Sequence, residues 1–138
     1  MTAPDFLDAN VLVYAYDPTD LRKQQVAQGL VRRALAGEVV LSTQVLAEFA
    51  STLLHKTSPP PQPEDVEAVL DALAPIRVIA PDADIVRRAV QAHTQYGLHF
   101  YDGMIVAAAE RGGCTRIWSA DFNAGQTYFG VTVENPFG

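Results

Sequence analysis

Short apolar runs alternate with helix-spaced apolar positions along most of the chain. Phe6 and Leu7, then Val11, Leu12 and Val13, read as one buried strand over 5–8 and its exit over 11–14, interrupted by Asp8 and Asn10. Asp17-Pro-Thr-Asp20 supplies a turn and an N-cap, so a helix is expected to about Ala36, where Gly37 stops it. Val39 to Leu41 makes a second strand. Ser42 or Thr43 caps the next helix, whose apolar positions Val45, Leu46, Phe49, Leu53 and Leu54 keep helical spacing. The proline-rich stretch 57–63 cannot be helical inside, because proline lacks an N–H and restricts its predecessor. It reads as an exposed connector to a helix over 64–74. Ile76 to Ala80 is a third strand, and Asp82 caps a helix that runs to Tyr96 and stops at Gly97. A helix over 101–111 ends at Gly112-Gly113, and Arg116–Ser119 and Val131–Glu134 complete a set of five strands.

Strands separated by helices predict an α/β protein with a mainly parallel sheet of about five strands, helices covering both faces. The 138 residues fit a single domain over 1–138, since neither side of the proline run could hold a core alone. In such sheets ligands sit outside the carboxyl ends of the strands.

Composition changes this picture little: 49% hydrophobic and 19% charged residues exclude a disordered chain. A single cysteine, Cys114, excludes an internal disulfide and reads as a small apolar residue. No apolar run approaches the about 20 residues that span a bilayer. The first residues lack the basic start of a signal peptide. No membrane association is expected, and the cytoplasm is the expected location. The net charge of −6 argues against holding nucleic acid by a basic surface alone. It is compatible with acids gathered around divalent cations, which invert the local sign.

Four acids stand at positions where chemistry is expected. Asp8 closes the first strand and Asp121 follows the fourth, so both belong on one rim of the sheet. Either alone has a plain explanation as a turn former. Asp102 shares a helix face with the apolar Ile105, Val106 and Ala109, in the first turn, where the helix dipole favours an anion. That face must pack on the sheet, so a cation is expected beside it. Glu48 flanks the apolar stripe of its helix, little more than one turn from the same rim. Four converging carboxylates would raise one another's pKa unless a cation offset them. An oxygen-only set without a Cys or His cluster selects hard ions, Mg²⁺ or Mn²⁺ rather than zinc.

The segments Asp8-Ala-Asn10, Ser42-Thr-Gln-Val-Leu-Ala-Glu48-Phe, Phe100-Tyr-Asp102-Gly-Met-Ile-Val-Ala-Ala-Ala109 and Trp118-Ser-Ala-Asp121-Phe, in this order, resemble PIN-domain ribonucleases. The likeness is greatest to VapC-type toxins of bacterial toxin–antitoxin pairs, and it runs over essentially the whole chain. It implies a PIN-like (Rossmann-like) three-layer α/β/α sandwich and metal-dependent endonucleolytic cleavage of RNA. It also implies a homodimer and inhibition by a small antitoxin protein. Carried over by position, Asp8, Glu48, Asp102 and Asp121 are the catalytic and metal-holding acids. Asn10, Thr43 and Ser119 are candidates for orienting those acids or a water. The chain departs from many relatives in having Ala120 where an acid precedes the last Asp, and Asn123 where a glutamine is frequent.

Substrate contacts are less legible. Arg22, Lys23, Arg32, Arg33, Lys56, Arg87, Arg88 and Arg111 are candidate phosphate contacts. Tyr14, Tyr16, His99 and Tyr101 lie near the motifs and are candidates for stacking on bases. Two other functions compete. A magnesium-dependent Asp phosphotransferase or receiver domain would by resemblance need a late lysine, and no lysine follows Lys56. A PIN-like binding module that cleaves nothing is the second, for which Ala120 leaves room.

Overall fold

The computed structural model describes residues 2–138. In chain order the elements are β1 (Asp5–Leu7), α1 (Ala9–Tyr14), α2 (Leu21–Leu35), β2 (Val39–Ser42), α3 (Thr43–Lys56) and α4 (Pro63–Leu73). They continue with β3 (Val78–Ile79), α5 (Ala83–Tyr96), α6 (Phe100–Arg111), β4 (Arg116–Trp118), β5 (Thr127–Tyr128) and β6 (Val131–Glu134).

The strands form one sheet in the order β3-β2-β1-β4-β6-β5, parallel except where β5 runs against β6. All residues of β1 and β2 are buried, as expected for strands covered on both faces. From β1 the chain steps outward through β2 to β3, then crosses back to pair β4 with β1. With right-handed crossovers, α1–α4 cover one face and α5–α6 the other. Contacts agree: α1 packs on α2 and α3, α3 on α4, and α5 on α6. The direction of progress reverses between β1 and β4. Parallel sheets open a crevice at such a reversal, beyond the carboxyl ends of the two strands.

Most expected elements are present, and their caps are the expected ones. Asp20 accepts from the Lys23 N–H at 3.1 Å, Ser42 from Val45 at 3.2 Å and Asp82 from Ile85 at 3.0 Å. Gly97 ends α5 with φ at 72°, a left-handed turn that glycine enters freely.

Two expectations need correction. Residues 11–14 are not an exit from the first strand but the body of α1. Asp8 keeps an extended backbone and its carboxylate accepts the Ala9 N–H at 2.8 Å, which starts a helix there. Six residues are too few to display helical periodicity, and the β-branched Val11 and Val13 imitate a strand. The sheet also has six strands, because the short β5 folds back on β6. Phe129 and Gly130 both take positive φ (51° and 79°), the two-residue turn that matches strand twist, but without the usual Asn-Gly or Asp-Gly signal.

The helix that carries Asp102 is placed by close packing. On α6, Gly103 and 105–109 are buried, and a Cβ built on Gly103 would lie 2.9 Å from the Ala89 carbonyl oxygen of α5. Gly103→Ala is therefore expected to destabilise the fold. Overpacking of about 1–3 kcal/mol exceeds the roughly 1 kcal/mol that alanine gains in helix propensity. A lower urea midpoint at pH 7 is the expected result, and an unchanged or raised midpoint would show that α5 and α6 separate freely.

Candidate functional site

At the crevice beyond β1 and β4 lies a cleft of about 700 Å³. Asp8, Glu48, Asp102 and Asp121 all line it, together with Asn10, Tyr14, Asp17, Ser51, Thr52 and Lys56. The four acids come from four separate places: the end of β1, the second turn of α3, the first turn of α6 and the loop after β4. Asp8 is buried at 6% exposure, whereas Glu48, Asp102 and Asp121 are exposed to the cleft.

Asp8 is held by a bonded frame that spans the reversal point. Its Oδ2 accepts from the Ser119 hydroxyl at 2.9 Å and from Asn10 Nδ2 at 3.1 Å. Asn10 Nδ2 also lies 3.2 Å from Ser119 Oγ, and Asn10 Oδ1 accepts the Ala120 N–H at 2.8 Å. Ser119 Oγ in turn accepts the N–H groups of Asp121 and Phe122 at 3.2 and 3.3 Å. Asn10 and Ser119 thus tie Asp8 to the loop that carries Asp121. The backbone of Ala120 serves that frame, so the position needs no side-chain acid to keep its place. Thr43 is not brought to this cleft. It is exposed and lines an apolar hollow with Leu46, Leu70 and Val78, while its neighbour Ser42 caps α3.

On the α3 wall, Gln44 Nε2 donates to Glu48 Oε1 at 3.0 Å and to the Tyr101 carbonyl at 3.1 Å. One amide therefore links the acid of α3 to the turn bearing Asp102. Asp17, Ser51 and Thr52 were not singled out from the sequence. Thr52 lies one turn beyond Glu48, a spacing that could have flagged it. Asp17 was masked by its turn, where its carboxylate accepts the Thr19 N–H at 3.0 Å.

The electrostatics set these acids apart. Every ion pair among the described residues engages Asp5, Glu38, Asp82, Asp84, Glu110 or Glu134 with an arginine. None reaches the cleft acids. Burial pushes the Asp8 carboxyl up to about 6, against the lowering effect of its bonds from Ser119 and Ala9. The charges of Glu48 and Asp102 add to the rise. Partial desolvation likewise raises Asp102, with His99 opposing and Asp121 reinforcing. Asp102 therefore stands on the open cleft rather than against the sheet, and the cation expected beside it is not an Arg or Lys of this chain. His99, whose Nδ1 accepts the Tyr101 N–H at 3.3 Å at the start of α6, is the one charge that lowers it.

The donor set suits a hard divalent ion, being carboxylate oxygen throughout with no ion pair among the described residues reaching it. Among the described residues no three acids converge on one ligating point. That arrangement fits magnesium chemistry, in which one or two carboxylates hold an ion that keeps several waters.

The candidate nucleic-acid contacts separate clearly. Arg33, Arg87, Arg88 and Arg111 are committed to ion pairs, and Arg22 donates to the Phe137 carbonyl. Tyr14 lines the cleft and packs edge-on against Phe137, whereas Tyr16 packs on Phe49. Tyr101 is exposed and stacks beside His99. Cys114 is buried, and burial raises its thiol to about 12, far from nucleophilic use. No described helix is long and apolar enough to cross a membrane.

Comparison with known proteins agrees with this architecture. Mycobacterium tuberculosis VapC20, described as a Sarcin-Ricin loop cleaving toxin, superposes with a TM-score of 0.69 at 20% identity, covering 93% of this chain and 98% of that one. A toxin–antitoxin complex from Klebsiella pneumoniae gives 0.69 at 17%, covering 96% and 97%. VapBC2 from Rickettsia felis, bound to a promoter DNA fragment, gives 0.66 at 19%, covering 95% and 97%. No curated protein sequence matches the chain significantly. The PIN domain model matches residues 6–130, nearly the whole span from β1 to the β5–β6 turn and all four cleft acids with it: the chain belongs to the PIN domain family.

Proposed function

We propose that this protein is a divalent-metal-dependent endoribonuclease and the toxin of a toxin–antitoxin pair. The observation that carries the proposal is the cleft itself: four carboxylates at the sheet reversal, none of them in an ion pair, while the buried Asp5 at the other end of β1 is paired with two arginines. Folding would not retain such repulsion for stability, since Asp8 is buried without a cation and the charges of Glu48 and Asp102 oppose its ionisation. Asp8, Glu48, Asp102 and Asp121 would hold Mg²⁺ or Mn²⁺. Such an ion supplies Lewis acidity toward a phosphoryl oxygen and a more acidic water.

The chain's own residues do the rest. Ser119 and Asn10 fix the Asp8 carboxylate in one orientation, and Gln44 steadies Glu48 against the start of α6. The cleft is open to solvent, and no serine, cysteine or histidine nucleophile is required. Hydrolysis would leave a 5′-phosphate and a 3′-hydroxyl, as the family likeness suggests. VapC20 is described as a Sarcin-Ricin loop cleaving toxin, and the Klebsiella structure is a toxin–antitoxin complex. Both support RNA as substrate and a small antitoxin as partner. A homodimer and a cytoplasmic location are part of the same proposal, as the family resemblance implies.

The test is incubation of end-labelled single-stranded and structured RNA with the purified protein and Mg²⁺ or Mn²⁺. Cleavage is expected to stop with EDTA and to fall by at least about 100-fold in Asp102→Asn, since even residues that only support metal ligands contribute 10–100-fold. Equal cleavage by the variant would mean a contaminating nuclease. No cleavage of any RNA, with metal and RNA still bound, would leave a binding module.

A further inference from the structure

The cleft contains a single basic side chain, and its position gives the site a direction. Glu48, Thr52 and Lys56 follow one another at four-residue intervals on α3, so they form one stripe, and all three line the cleft. From Glu48 to Lys56 the helix rises about 12 Å. A lysine in the last turn of a helix is explained by the helix dipole alone. That does not explain why it faces a wall of acids without pairing with any of them.

The rest of the cationic inventory sharpens the point. Five arginines are taken by ion pairs, Arg22 and Arg77 donate to the carbonyls of Phe137 and Gly112, and Arg32 on α2 does not line the cleft. Lys56 makes no ion pair or side-chain hydrogen bond among the described residues. Lys23, the only other lysine, stands over the ring of Tyr14 at 5.0 Å, and Tyr14 forms part of the same cleft. Of the two lysines, then, Lys56 alone lines the cleft, where a polyanion crossing an acidic centre needs its charge met, and Lys23 sits behind one of its walls.

We infer that Lys56 binds a phosphate of single-stranded RNA next to, and not at, the scissile one, and so sets the course of the strand along α3. The rise of about 12 Å between Glu48 and Lys56 favours a phosphate beside the reacting one over the reacting phosphate itself. Thr52 lies between them and offers a hydroxyl to the intervening backbone. The inference rests on the nuclease function proposed above and adds to it the path of the substrate.

The test uses the full chain and a short fluorescein-labelled single-stranded RNA. Binding is measured in Asp8→Asn, with and without Lys56→Ala, across a salt series, and cleavage is measured in the Asp8 background. Lys56→Ala is expected to weaken binding about 5-fold to 10-fold and to lower the magnitude of the salt slope by about 0.7. KM rises correspondingly with kcat nearly unchanged, and Lys56→Arg restores most of the loss. Neutralising single phosphates of the RNA one at a time should reveal one non-scissile position to which the wild-type side chain responds and Lys56→Ala does not. Arg87→Ala removes a charge paired with Asp84 outside the cleft and should leave the slope unchanged. Cleavage with normal KM and salt slope in Lys56→Ala would overturn the inference while the nuclease function stands. Tighter Mn²⁺ binding as the sole effect would overturn it too, making Lys56 a counter-charge to the acids. Lys56-dependent RNA binding without cleavage would uphold the phosphate contact along α3 and remove the nuclease function instead.

Discussion

Asp8→Asn is expected to abolish cleavage and, in EDTA at pH 7, to raise the melting temperature. Folding takes Asp8 out of water and brings it near Glu48 and Asp102, which moves its pKa from an ordinary value near 4 up to about 6. Between those values the folded state binds the proton more tightly than the unfolded chain does. Stability therefore falls as pH rises from about 4 to 6 and stays reduced at pH 7. The shift corresponds to about 3 kcal/mol at most. Asparagine removes the charge but sets an amide against the donors Ser119 and Asn10, which forfeits about 1 kcal/mol. A net gain of about 1–2 kcal/mol, or roughly 5 °C, is expected. Saturating Mn²⁺ should reverse the order, because an ion at 100 times its Kd stabilises by about 2.7 kcal/mol and binds the variant poorly. Thermal scans of both proteins, with EDTA and with Mn²⁺, check both halves. A variant less stable than the wild type in EDTA would mean that the Asp8 charge is satisfied by the protein alone.

What made this site legible was position rather than composition. Asp8 and Asp121 could be assigned to one rim because each follows an apolar strand, and parallel topology puts such ends together. Asp102 was legible as an acid out of keeping with its apolar neighbours, but its surroundings were not. Amphipathic periodicity supposes one wet face, whereas α6 is buried almost all round between 105 and 109, and its first turn projects past the sheet onto the cleft. Thr43 shows the opposite error. The sequence left the cap of α3 open between Ser42 and Thr43; Ser42 takes it, which turns Thr43 toward the α4 side.

The misread start of α1 has a physical lesson. A strand ending in an aspartate that begins a six-residue helix leaves no periodic signature, since one and a half turns do not repeat. Long elements with explicit stops, such as α2 before Gly37 and α5 before Gly97, were legible to within a residue or two. The β5–β6 hairpin was not, because its turn uses Phe129-Gly130. Phe129 is held there by contacts distant in sequence: Arg88 lies 3.5 Å from its ring centroid, and the Tyr96 hydroxyl accepts its N–H at 3.1 Å.

The opposite end of β1 should respond to mutation in the opposite sense. Asp5, buried at 5% exposure, accepts three bonds at Oδ2: from Arg116 at 2.9 Å, Trp118 Nε1 at 3.0 Å and Arg33 at 3.1 Å. Burial pushes its carboxyl up, but the bonds from Arg116, Trp118 and Arg33 and the Arg116 charge outweigh burial and leave it below the ordinary range. A depressed pKa means stability that is present above about 4 and is lost as pH falls through the folded-state value. Asp5→Ala leaves Trp118 without its acceptor and two guanidinium groups short of a partner. Breaking a fully buried pair costs about 3–5 kcal/mol; because both arginines are more than a third exposed and keep Glu38 or Glu134, about 2 kcal/mol is expected. Guanidinium unfolding at pH 7 should show that loss, and at pH 3 and below the gap to the wild type should narrow as its Asp5 protonates. A gap that widens on acidification would contradict the pairing. Three residues apart at the two ends of β1, Asp5 and Asp8 thus carry opposite signs: the first acid gives stability through arginine, and the second withholds it, as a site proposed to await a divalent ion would.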